Sequence, residues 1–67
     1  MSASSDFAEL SSLKAQLQEL TSRLVAVGDR YRDTEDTAIS SEIDQAERGM
    51  LGAYRSLDRA AGLLSEL

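Results

Sequence analysis

The side chains in this chain that could do chemistry are carboxylates, hydroxyls and a few basic groups. Its 67 residues include 12 Asp and Glu and 7 Lys and Arg, but no His and no Cys. General acid–base catalysis near neutral pH most often uses His, and a Ser nucleophile needs an adjacent base to activate it. We therefore expect a protein that is not an enzyme, with no catalytic residues and no cofactor.

Acidic residues cluster near the middle of the chain, where a calcium loop would be conceivable. An EF-hand loop beginning at Asp29 needs Gly at its sixth position and Glu at its twelfth. Thr34 and Ser40 occupy those positions. Without His or Cys, the imidazole and thiolate ligands of zinc sites are also missing. The sequence therefore predicts no metal site.

Two heptad patterns determine the expected fold. In each pattern, apolar residues recur at alternating steps of three and four, which is the signature of helices that pack along a seam. The predicted core residues of the first seam are Leu10, Leu13, Leu17, Leu20, Leu24, Val27 and Tyr31. Those of the second seam are Ile39, Ile43, Ala46, Met50, Ala53, Leu57, Ala60 and Leu64.

The phase of the pattern breaks between Tyr31 and Ile39, and this break predicts a turn. Arg30 before it and the acidic residues after it complement the helix dipoles on either side. We predict one all-α domain spanning residues 1–67, an antiparallel, coiled-coil-like two-helix hairpin. Its first helix covers about 5–32, starting at the capping-box pair Asp6 and Glu9. The turn covers about 33–37, and the second helix about 38–66.

Two other arrangements are compatible with the sequence. Gly28 could end the first helix and Asp29 could begin the second, because Gly is common after helix C-termini and Asp at N-caps. The chain also has no Pro, so a single unbroken helix is a further alternative. Only the hairpin gives the phase break a structural purpose.

The second helix carries more apolar residues than one neighbouring helix can cover. Leu51, Tyr54 and Ala61 widen its seam on one side, and Leu63 flanks it on the other. They could simply broaden the edge of a monomer's core. Our main hypothesis is that they form an interaction surface, through which two hairpins pair into a four-helix bundle or one hairpin docks on another protein. A homodimer is the commonest closed oligomer.

Between residues 33 and 47 the chain has six acidic residues and no basic one. This stretch could be a helix N-terminus with a solvated face, or Asp33, Glu35 and Asp36 could form an acidic tip that binds a basic partner surface. A net charge of -5 disfavours direct binding to nucleic acid. We therefore expect a self-associating interaction or scaffold protein; an acidic regulator of a nucleic-acid-binding protein is an alternative.

Residues 31–35, Tyr-Arg-Asp-Thr-Glu, fit the pattern Y-x-x-x-[D/E]. They resemble the motif found in substrates of the type VII (ESX) secretion system, which are small helical hairpins that pair into four-helix bundles. In that family the motif usually follows the second helix, and the bend contains W-x-G; here the motif lies mid-chain and Trp is absent. The resemblance implies a leaderless secreted hairpin as a further alternative.

The first residues, 1–7, are rich in Ser, with no Lys or Arg and no apolar run. This composition is unlike that of a secretory signal peptide, and no apolar stretch of the chain is long enough to span a bilayer. We therefore expect a cytoplasmic protein without a membrane span, and leaderless export stays open as an alternative.

Overall fold

The computed structural model describes residues 2–67, which form two helices joined by a turn. Helix α1 spans Ala3–Tyr31 and helix α2 spans Thr37–Ser65, with 29 residues in each. The two helices pack against each other in a body measuring 51 × 15 × 13 Å. The predicted all-α helical hairpin is therefore confirmed. The chain reverses at residues 32–36. The two alternatives, a turn at Gly28 and Asp29 and a single unbroken helix, are therefore not what the structure shows.

Helix α1 begins earlier than the capping-box pattern predicts. The Ser2 hydroxyl accepts a hydrogen bond from the backbone N–H of Ser5 at 3.1 Å and so caps the helix. Ser is among the best N-cap residues because its oxygen satisfies a free N–H of the first turn. Asp6 consequently lies inside the first turn, where its negative charge complements the helix dipole.

Thr34 organises the turn between the helices. Its hydroxyl donates a hydrogen bond to the backbone oxygen of Tyr31 at 2.7 Å and accepts one from the N–H of Asp36 at 3.1 Å. The preceding residue, Asp33, has a φ of 65°, a left-handed conformation that Asp tolerates better than most residues. Asp36 is the N-cap of α2, but its side chain makes no capping hydrogen bond.

A single layer of partly buried side chains separates the two helices. Every seventh residue of each predicted seam faces the other helix; these residues are Leu10, Leu17, Leu24, Tyr31, Ile43, Met50, Leu57 and Leu64. Between them lie residues that the seams do not include, namely Lys14, Thr21 and Gly28 on α1 and Glu47, Tyr54 and Ala61 on α2. Among residues 2–67, Ala61, at 4% exposed, is the sole buried apolar side chain.

The other half of each predicted seam lies outside this layer, which corrects the core prediction. Leu13, Leu20, Ile39, Ala46 and Ala53 are exposed. Val27 and Ala60, which continue the same rows, are partly buried. The physical reason is that a heptad seam has two rows, and in this hairpin only one row of each helix turns towards the neighbouring helix.

The helices approach each other closely at Gly28. This glycine is buried, and a Cβ atom added to it would lie 2.9 Å from Cγ2 of Ile43. That methyl group is attached directly to the β-carbon of a branched side chain with few accessible rotamers, so it has little freedom to move away. Gly28 therefore sets the distance between the helices near the turn.

We predict that Gly28→Ala lowers the free energy of unfolding by about 1–3 kcal/mol, because overpacking forces the helices apart. The matched control is Gly52→Ala in α2, where an added Cβ meets nothing within 4 Å. That change should raise stability by up to about 1 kcal/mol through helix propensity. Urea denaturation followed by circular dichroism measures both values, and a stabilising Gly28→Ala would contradict the close approach.

Candidate functional site

The two long sides of the hairpin differ in chemistry. Lys14 of α1 reaches Asp58 of α2, so the rows that contain these two residues border the same side, which we call the polar edge. The rows on the far side of the interhelical layer, which contain Leu20 on α1 and Ala53 on α2, must then border the opposite side together. The geometry of the helices thus places the two exposed halves of the predicted seams on one common face.

Near the middle of the polar edge, Lys14 connects the two helices. Its ammonium group donates a hydrogen bond to Oδ1 of Asp58 at 2.7 Å and lies 5.4 Å from the centre of the Tyr54 ring. The hydrogen bond to Asp58 raises the pKa of Lys14, against a smaller opposing effect of burial. The stem of Lys14 packs between the helices while its charge stays at the surface. The seam pattern missed this residue because Lys is polar.

Towards the turn, a second group of charges lies on the polar edge. The guanidinium of Arg32 is 3.3 Å from Oδ1 of Asp29 and 3.4 Å from Oδ1 of Asp44. Glu47 lies beside them between the helices. The pKa of Glu47 is raised, chiefly by burial and then by the neighbouring carboxylate of Asp44, while the charge of Arg32 opposes the shift. The three carboxylates of Asp29, Asp44 and Glu47 therefore lie around the guanidinium of Arg32.

The opposite side, which we call the apolar face, is apolar in its two central rows from Leu13 onwards, and the α1 row begins with the charged Asp6 in the first turn. Its most exposed leucine, Leu20, has 50% of its surface accessible, and Leu13 and Ile39 have 40% and 42%. The residues of the apolar face are Leu13, Leu20, Val27, Ile39, Ala46, Ala53 and Ala60. Leucine and valine project from α1, whereas α2 contributes mainly small alanines. The face is therefore raised along α1 and lower along α2.

The four residues predicted as an interaction surface on α2 differ in how exposed they are. Tyr54 and Ala61 face α1 as part of the interhelical layer, where Ala61 is buried and Tyr54 is partly buried. Leu51 remains 48% exposed but borders the polar edge, and Leu63 is 67% exposed beyond the apolar face. Leu51 and Tyr54 line one pocket on the polar edge, and Leu63 lies on the other side of the seam, as the sequence predicts. The apolar surface left uncovered instead comes from the rows that the sequence assigned to the core.

The residues of the predicted acidic tip lie at the turn. Asp33 and Glu35 are exposed in the connection, and Asp36 is exposed at the start of α2. Of the motif at residues 31–35, Tyr31 ends α1 and is partly buried. Binding of a basic partner at this tip remains a prediction.

Within residues 2–67, no three potential metal ligands lie close enough to hold an ion. None of the helices described there combines the length and apolar character needed to cross a membrane. No protein-family profile, curated protein or solved structure matches the chain significantly. The class of the protein is therefore defined by its fold alone, as a small two-helix hairpin with one polar and one apolar side.

We predict that Glu47→Gln raises the thermal midpoint at pH 7. Because the pKa of Glu47 is raised in the fold, the folded state binds the proton more tightly than the unfolded chain does. This contribution to stability is complete below the unfolded pKa near 4.5 and is lost as pH rises through the higher folded pKa. The gain from Glu47→Gln should therefore shrink when the midpoint is measured at pH 4.

The matched control is Glu42→Gln, which removes the same charge from an exposed position of α2. It accounts for the general effect of lowering the net negative charge. Equal gains for the two variants at pH 7 would show that the surroundings of Glu47 have no specific effect.

Proposed function

We propose that this protein is a non-enzymatic interaction or scaffold hairpin that completes its hydrophobic core by self-association. Two copies join through their apolar faces into a coiled-coil-like four-helix bundle. The observation that carries this proposal is the contrast between an apolar face left open to solvent and an interior in which, among residues 2–67, Ala61 is the sole buried apolar side chain. A core this small rarely supports a fold by itself.

The exposed area supports the same proposal. The hairpin exposes 4961 Å², whereas a compact folded monomer of its mass exposes about 4,200 Å². The excess is roughly 800 Å², which is close to the area that each partner buries in a stable protein–protein interface. Docking of the apolar face would therefore bring the exposed area per chain to that of an ordinary folded protein.

A four-helix bundle would explain why both rows of each heptad seam are apolar. Within one hairpin, only half of each seam contacts the other helix. In a four-helix bundle, each helix directs both rows of its seam towards the common centre. The strict spacing of Leu13, Leu20 and Val27 then has the same packing role as that of Leu10, Leu17 and Leu24.

A second candidate function is that of a leaderless secreted hairpin of the type VII kind, which the two-helix fold supports. The position of Tyr31 to Glu35 at the turn, rather than after α2, departs from that family's pattern. Export that stops when the secretion machinery is removed would support this candidate, and unchanged localisation would exclude it.

We predict that Leu20→Gln shifts the protein from dimer to monomer at micromolar concentration, weakening association at least tenfold. Two leucines leave the interface of each dimer, and burying either leucine stabilises by about 1.5–3 kcal/mol. Leu51→Gln is the matched control, since Leu51 is equally exposed but borders the polar edge. Sedimentation equilibrium measures the dissociation constant of each variant.

Association of the Leu51→Gln variant should remain within about twofold of the parent protein. A parent protein that is monomeric at this concentration would overturn the proposal, as would equal weakening by the two substitutions.

A further inference from the structure

The rows that flank the apolar face carry an ordered sequence of charges on α1. At heptad spacing beside Leu13 and Leu20, this flanking row contains Glu9, Gln16, Arg23 and Arg30. It is negative near the start of α1 and positive near the turn. Flanking rows of this kind select partner and orientation in helical bundles, because they meet across the interface between neighbouring helices.

The corresponding row of α2 is made of small or uncharged residues after its first member. It contains Glu42, Gly49, Ser56 and Leu63. An added Cβ at Gly49 meets nothing within 4 Å in the hairpin, so the space beside Ala46 and Ala53 is open. A second helix could therefore approach α2 closely along this row.

The contacts between the helices fix which residues lie at the same height. Lys14 contacts Asp58, and Gly28 lies against Ile43. Interpolating between these two contacts places Leu20 level with Gly52, one residue from Ala53. A single axis that lies in the plane of the apolar face, perpendicular to both helices, can therefore pass beside Leu20 and Ala53 together, within about 2 Å of helix rise.

We propose that the occupant of the apolar face is a second copy of this chain, lying antiparallel, with the two turns at opposite ends of the bundle. This inference rests on the proposed function and adds the orientation of the two copies. The twofold axis passes beside Leu20 and Ala53. It pairs α1 with α1 and α2 with α2, so that Leu13 meets the second copy's Val27, and Ala46 meets its Ala60.

Among the registers that heptad spacing allows, this one overlaps the hairpins along their whole length. Leu20 is near the middle of α1, and Ala53 is near the middle of α2. Seven-residue shifts to either side would leave about two helical turns of each hairpin uncovered at both ends of the bundle. The excess exposed area of roughly 800 Å² is removed fully only when the whole face is covered, which selects the central register.

The charges of the flanking row are complementary in this arrangement. Glu9 of one copy lies opposite Arg30 of the other, and Gln16 lies opposite Arg23, twice in each dimer. With the turns at the same end, Arg30 would instead meet Glu42 of the other copy, and Glu9 would face Leu63. Both arrangements form two ion pairs, and the antiparallel one gives every charge of the α1 row a polar neighbour, while it places Glu42 of one copy opposite Leu63 of the other.

Repulsion between the turns decides between the two arrangements. Each copy has six acidic residues between positions 33 and 47, in a chain of net charge -5. Turns at the same end would place these twelve carboxylates together. Turns at opposite ends separate the turn residues Asp33, Glu35 and Asp36 of the two copies by almost the length of the 51 Å body, which far exceeds the Debye length of about 8 Å at physiological salt.

Pulsed electron spin resonance on single-cysteine variants tests this orientation. The chain has no natural Cys, so a spin label attaches only at the introduced position. A label at the exposed turn through Glu35→Cys should give a distance of about 45 Å between copies in the antiparallel dimer. A distance under about 25 Å would show that the turns lie at the same end and would overturn the inference.

The matched control is Glu19→Cys, at an exposed position of α1 near the proposed axis. Its labels should lie within about 35 Å of each other in either orientation, so it reports association alone. A signal from Glu19→Cys with a short distance at Glu35→Cys leaves the proposed function standing and removes the antiparallel orientation. No dipolar signal from Glu19→Cys would remove both.

Charge exchange gives an independent measurement of the same orientation. Arg30→Glu should weaken association several-fold, because it places like charges opposite each other twice in the dimer. Adding Glu9→Arg should restore association to within about twofold of the parent protein, whereas adding Glu42→Arg should not. Rescue by Glu42→Arg and not by Glu9→Arg would overturn the inference.

Discussion

Two helices that lie side by side can bury only the strip between them, and this limit governs the rest of the structure. Each helix has neighbours on one side, so its other apolar residues stay in water however well the pair packs. In this hairpin the strip contains leucines and one close approach at Gly28, but its far edges are open. The free energy of burial available to one copy is correspondingly small.

The two open edges of the hairpin differ in the side chains that cover them. On one edge, Lys14 bridges to Asp58 and covers the ring of Tyr54, and Arg32 bridges Asp29 and Asp44. These polar side chains can remain hydrated, although Val25 and Leu51 are also exposed along this edge. On the other edge, Leu13, Leu20 and Ile39 have nothing to pack against. The asymmetry gives the hairpin one surface suited to solvent and one suited to other helices.

The sequence predicted the fold well because the strongest signals are local. Strict heptads, the phase break and the polar turn residues place both helices to within two residues of their observed ends. The position of Ser2 as the cap was missed, since Asp6 and Glu9 gave an equally valid local pattern. Caps compete on small energy differences that a sequence pattern does not resolve.

Which residues face which neighbour was predicted less well. A heptad seam marks the apolar rows of a helix but does not say which row meets the nearer helix. That choice depends on Lys14, Thr21 and Gly28, which fit the interface by shape and by one ion pair rather than by hydrophobicity. The same ambiguity led the sequence to assign Tyr54 and Ala61 to a partner surface and Leu20 to the core.

In the proposed dimer, the stability of each hairpin depends on the partner copy, and this dependence can be measured. It is tested most directly by thermal unfolding, followed by circular dichroism at protein concentrations from about 1 to 100 μM. If two copies fold and associate together, the unfolding midpoint must rise with concentration, because dissociation and unfolding are linked by mass action. We expect such a rise, with helicity lost on dilution. A midpoint that is independent of concentration, with sedimentation showing a helical monomer, would contradict it.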